Sequence, residues 1–95
     1  MAYLILDNGG PQEVTTTAAD VVPARRNRVK MLITNLHATE TVWVCFAREA
    51  VVGQCRPIGP GRSYEDEEAP AGQALSAIVA SGTADLYVEE WVRVV

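Results

Sequence analysis

Residues 28–35 read Arg28-Val29-Lys30-Met31-Leu32-Ile33-Thr34-Asn35. In an extended chain Val29, Met31 and Ile33 fall on one face, and Arg28, Lys30 and Thr34 on the other. Leu32 is the apolar exception. This period of two marks a half-buried β-strand. After a polar connection, His37-Ala38-Thr39-Glu40, the run Thr41-Val42-Trp43-Val44-Cys45-Phe46 repeats the pattern. Val42, Val44 and Phe46 share one face, Trp43 and Cys45 the other. Two strands this close in sequence predict a hairpin.

Working outward, Gly53, Pro57, Gly59, Pro60 and Gly61 punctuate the middle and leave no room for a helix of ordinary length. Arg62–Asp66 predicts a short strand, ended by Ala69-Pro70-Ala71-Gly72. For residues 74–80 the alanine content suits a helix, whereas the short length and the flanking Gly72 and Gly82 suit a strand. The expectation is a strand with Leu75, Ala77 and Val79 inward. Ser81-Gly82-Thr83 then predicts a hairpin turn. The last run, residues 84–95, places Leu86, Val88, Val92 and Val94 on one face and Asp85, Tyr87, Glu89, Trp91 and Arg93 on the other. Upstream, Tyr3-Leu4-Ile5-Leu6 is a strand broken at Asp7–Pro11, where Asn8-Gly9 tolerates positive φ. Residues 12–17 are expected to pair back on it. The sum is an all-β fold: a small antiparallel β-sandwich, jelly-roll-like, or a partly open barrel. Residues 28–95 would form its core. Residues 1–27 would supply a strand and an arm that packs on the sandwich or on a neighbour.

With 95 residues the chain is one domain, and 48% hydrophobic with 21% charged residues is a folded composition. Eight Lys/Arg against twelve Asp/Glu give a net charge of −4. That excludes the broad basic footprint of a nucleic-acid binder. No apolar run approaches the roughly 20 residues that span a bilayer. Residues 1–6 lack the positive charge of a secretion signal. Neither nucleic acid nor membrane is therefore an expected partner.

The chemistry of a catalytic or metal site is thin. His37 stands alone in a predicted turn, with no nucleophile signature beside it. Cys45 and Cys55 with one histidine fall short of four metal ligands. A pair ten residues apart can bridge, but free, partly buried thiols are expected in a chain without a signal. Glu65-Asp66-Glu67-Glu68 lacks the alternating spacing of a calcium loop. Gly59-Pro60-Gly61-Arg62-Ser63 has the glycines of a phosphate loop without its lysine or helix. No catalytic, cofactor or metal residue is assigned, and the chain is read as a non-enzyme.

The outward faces carry more. If the alternating aliphatics fill the sandwich, Leu32, Trp43, Cys45, Tyr87 and Trp91 point outward. Large aromatics are enriched at protein–protein hot spots. Leu32, Trp43, Tyr87 and Trp91 are the candidate apolar anchors. Arg25, Arg26 and Arg28 would steer toward acidic neighbours, including residues 65–68 of another copy.

Five pieces in order carry a family likeness: Arg28–Asn35, Thr41–Phe46, Gly53, Pro60-Gly61-Arg62-Ser63 and Ala74–Trp91. Together they span about two thirds of the chain. This order resembles the small β-sandwich proteins encoded among tailed-bacteriophage virion genes. The resemblance implies a capsid cement or decoration protein on the capsid exterior, made in the host cytoplasm. Its partners would be the major capsid protein and copies of itself, with no cofactor. A carbohydrate- or receptor-binding module of a tail or fibre is the alternative, since exposed Trp and Tyr beside acidic residues also suit sugar stacking.

Overall fold

The computed structural model describes residues 2–66 and 72–94. Among them are nine strands and no helix: β1 (Ala2–Leu6), β2 (Gln12–Val14), β3 (Ala19–Val22), β4 (Arg28–Asn35), β5 (Val42–Phe46), β6 (Arg56–Ile58), β7 (Ser63–Asp66), β8 (Leu75–Val79) and β9 (Ala84–Val94). They form two antiparallel sheets packed face to face, a small β-sandwich. The first sheet runs β1-β9-β4-β7, with β2 also on β9; the second runs β3-β8-β5-β6. The Cα radius of gyration is 12.6 Å, close to the roughly 12 Å that compact packing of such a chain requires.

The core lies between the sheets. Met31, Ile33, Leu86 and Val88 come from the first sheet, and Val42, Val44, Leu75, Ala77 and Val79 from the second. The expected inward set of β8 is thus the observed one. Val14 and Val22 are buried in the same cluster. The expected division at residue 27 therefore does not divide the core: β1 and β2 are strands of the first sheet, and β3 is a strand of the second.

Three expected connections are corrected. β4 and β5 do not form a hairpin, because β4 belongs to the first sheet and β5 to the second. The connecting segment crosses between layers, so that both strands bury their aliphatic faces against each other rather than side by side. The turn Ser81-Gly82-Thr83 likewise carries the chain from β8 in one sheet to β9 in the other. Residues 12–14 pair with β9, not with β1. The Asp7–Gly10 turn is real, with Asn8 and Gly9 at φ 59° and 81° and Gly10 N–H donating to Asp7 O. Yet it is an excursion, not a reversal. β9 is long enough to pair with β1 through Glu90–Val94 and with β2 through Ala84–Leu86.

One facing error has a single cause. Opposite β9, Arg28 pairs with Val92 and Lys30 with Trp91, so Val29 is an extra residue. This β-bulge inverts the alternation. Lys30 and Leu32 stay outward, Arg28 turns inward, and Val29, expected in the core, is half-buried at the surface. Val94 was also expected inward; it lies at the end of β9 and is 50% exposed.

The cysteines are a second correction. Cys45 and Cys55 are disulfide-bonded, with Cα atoms 5.4 Å apart. The chain between them folds back on the outer face of the second sheet. Ala47 and Cys55, at φ 63° and 64°, take the left-handed turns that this path requires. Ala50 is buried there, its N–H donating to Ser76 Oγ at 2.9 Å.

Candidate interaction surface

The outer face of the first sheet follows from its register. Ile5 lies beside Trp91, and Trp91 beside Lys30. Glu89, Leu32 and Glu65 form the next row, and Tyr87, Thr34 and Ser63 the one after. Tyr3 sits opposite Arg93. Lys30 organises the centre. Its Nζ lies 4.9 Å from the Trp91 ring centroid and 2.8 Å from Glu65 Oε1. A cation held over a ring face is attracted by the ring quadrupole. Tyr3, Val29, Lys30 and Trp91 line an open depression of about 380 Å³.

This face brings together three of the four expected anchors: Leu32, Tyr87 and Trp91. Trp43 is not among them. It lies on the outer face of the second sheet, between Ile78 and Pro57, on the opposite side of the molecule. Both tryptophans are half-buried. The apolar surface instead extends onto β1, where Tyr3 and Ile5 are 52% and 54% exposed; Leu4, 52% exposed, lies at the same edge on the inner side, beside Val92. Sequence reading placed a strand there but assigned it no site. Alternation shows that a run is a strand, not that it lies at the edge of a sheet.

The Tyr87 phenol is pushed above its ordinary value of 10.0, first by desolvation, then by the negative charges of Asp7 and Glu89.

The basic cluster works largely inside the molecule, which corrects its expected steering role. Arg28 is buried, and its Nε donates to Glu90 Oε1 at 2.7 Å. Its two terminal nitrogens donate to Gln73 O and Pro23 O. Arg25 Nε donates to both Glu90 oxygens, at 3.0 and 3.2 Å, and its Nη2 donates to Asn8 Oδ1. Glu90 is fully buried between them. The three side chains tie together the turn before β2, the segment before β4, the approach to β8 and the middle of β9. Gly72 belongs to the same junction: its carbonyl accepts from Arg25 N–H, and a Cβ there would sit 3.0 Å from Arg25 O. Arg26 is exposed. Of the acidic run proposed as a target, Glu65 is taken by Lys30, Asp66 is buried, and residues 67 and 68 lie outside the described residues.

The motif residues have structural duties. Asn35 is buried; its Nδ2 donates to Glu40 O and Ile58 O, and its Oδ1 accepts from His37 N–H. Its backbone bonds Arg62 O and Gly61 N–H. The Gly59–Arg62 turn is closed by Arg62 N–H to Gly59 O, with Pro60 and a positive-φ Gly61 in its central positions. His37 Nδ1 accepts from the N–H groups of Thr39 and Glu40 at 2.9 Å each, so the imidazole builds a turn. Among the described residues no group of three or more His, Cys, Asp or Glu is placed to hold a metal ion. No helix among them is long and apolar enough to cross a membrane.

No family model and no curated protein matches the chain. Several solved structures are similar to the chain. One is a conserved Streptococcus pyogenes protein of unknown function, with a TM-score of 0.48 at 13% identity, covering 98% of this chain and 63% of that one. A second is a Vibrio cholerae transcriptional regulator of the HTH_3 family, with a TM-score of 0.50 at 12% identity, covering 98% of this chain and 42% of that one. The chain thus spans under two thirds of the length of either. A third is a structure of Bacillus endospore appendages, described as disulfide-linked pili, with a TM-score of 0.52 at 13% identity, covering 99% of this chain and 87% of that one. At these identities the likeness to the second and third structures bears on the fold alone.

Proposed function

We propose that the chain is a non-enzymatic assembly protein that docks on a larger protein shell, of the capsid cement or decoration kind that the sequence resemblance implies. The observation that carries this reading is the apolar surface of Tyr3, Ile5 and Trp91 on the outer face of the first sheet, continued at its edge by Leu4. A broad sheet face with aromatic and aliphatic side chains suits an extended protein partner. Covering it removes apolar area from water at about 25 cal/mol per Å². Many copies on one particle then add modest contacts into strong reinforcement. The Cys45–Cys55 bond suits an exterior, oxidising setting. A sugar-stacking site is less favoured, because the Lys30 ammonium lies over the Trp91 ring.

Sedimentation with matured, undecorated capsids tests the proposal. Saturable co-sedimentation at micromolar concentration is expected. No co-sedimentation, together with binding on a glycan array, would overturn it.

A further inference from the structure

We propose that β1 is a homotypic docking edge: two copies join their first sheets by antiparallel pairing of Ala2–Leu6 with the same strand of the other copy. This rests on the assembly reading above and names one of its partners.

An edge strand exposes unpaired N–H and C=O groups, and proteins usually blunt such edges with charge, proline or a bulge. The other edge strands among the described residues follow that rule. Glu13 lies in β2, Asp20 in β3, Arg56 and Pro57 in β6, and Glu65 with Asp66 in β7. β1, Ala-Tyr-Leu-Ile-Leu, has none of these devices, and its middle three side chains are each more than half exposed.

The occupant follows from charge and register. A chain of net charge −4 repels its own copies over most approaches. β1 is an edge at which self-approach opposes no charges. The register that pairs all five residues centres on Leu4. It sets Leu4 against Leu4 and Tyr3 against Ile5, so every rung is apolar. It also keeps faces aligned. Tyr3 and Ile5 are both outward, so the outer faces of the two first sheets become one surface with Trp91 of each copy on it. The contact is isologous, as a two-fold axis demands.

The size of the patch sets the strength. The exposed large side chains on β1 are three, Tyr3, Leu4 and Ile5, so the paired edge covers well under a standard contact. A standard interface buries about 800 Å² per partner. The expected dimer is therefore weak in free solution and strengthened where copies are held side by side.

Sedimentation equilibrium of the free protein is the test. The weight-average mass should rise from 10.3 kDa toward twice that value between about 10 μM and about 1 mM. Ile5→Lys should hold the protein at the monomer mass with unchanged circular dichroism. Leu4→Cys should give a disulfide-linked dimer on a non-reducing gel, because facing Cβ atoms lie about 5 Å apart. Arg93→Cys should not, since its counterpart would be three strand spacings, about 14 Å, away. A monomer mass at every concentration, dimerisation that survives Ile5→Lys, or equal cross-linking of the two cysteine variants would overturn the inference. Capsid binding is scored separately. Binding without dimerisation overturns only the edge pairing, and dimerisation without binding overturns only the capsid reading.

Discussion

Arg28 Nε lies 2.7 Å from Oε1 of Glu90, and both side chains are fully withdrawn from water. The pair exists because one extra residue in β4 turns Arg28 into the sandwich, where β9 holds Glu90 on its inward face. A charge buried this way is tolerable only while every partner is in place.

Removing one partner is therefore expected to be severe. Glu90→Gln leaves Arg25 and Arg28 without their shared counter-charge. It should cost about 3–5 kcal/mol, which for a domain of this size lowers Tm by well over 10 °C. The double variant Arg28→Met/Glu90→Gln should lose less than the sum of the two single losses. Urea denaturation of the four proteins checks this, and strict additivity would refute the coupling.

The disulfide should matter to a smaller degree. Closing a loop of ten-residue separation restricts the unfolded chain by about 2.7 kcal/mol in the chain-entropy model. Cys45→Ala/Cys55→Ala should fall in denaturation midpoint by a corresponding amount and retain its far-ultraviolet spectrum. Native protein treated with iodoacetamide without reductant should take up no label; two labels per chain would show free thiols.

At alkaline pH, Tyr87 is expected to be a late-titrating phenol. Its raised pKa means that the folded protein holds the proton more tightly than the unfolded chain. The associated stability is present below pH 10 and is lost as pH rises through the folded value. Ultraviolet titration should lose a late component in Tyr87→Phe. In Asp7→Asn and Glu89→Gln that component should move toward lower pH.

On the docking face, Trp91→Ala should weaken capsid binding by about thirtyfold, the size of an ordinary hot spot. Trp43→Ala, on the opposite face, should change it several-fold less. Co-sedimentation titrations compare the two directly. Equal losses would mean that both broad faces are engaged.

Much of this fold was legible from side-chain alternation. β8 and the inward Val42 and Val44 of β5 match the expected period of two, whereas Cys45, expected outward, is buried beneath the disulfide-closed segment and Phe46 is only partly buried. What alternation does not encode is which sheet a strand joins. Residues 36–41 are long enough for a hairpin or for a crossing, and the choice depends on β8 and β9, far along the chain. The bulge at Val29 was equally hidden, since a basic Arg28 before an apolar run reads as a surface residue unless Glu90 is known to lie beneath it. Of the candidate site, Leu32, Tyr87 and Trp91 were recoverable as a shared face. The exposure of Tyr3 and Ile5 was not, because it comes from the edge position of β1.

The strand that neighbours β1, β2 and β4 is β9. During synthesis the ribosome therefore releases three strands of the first sheet long before their common template exists. Until residues 84–94 emerge, the apolar segment Tyr3–Leu6 has no native strand partner.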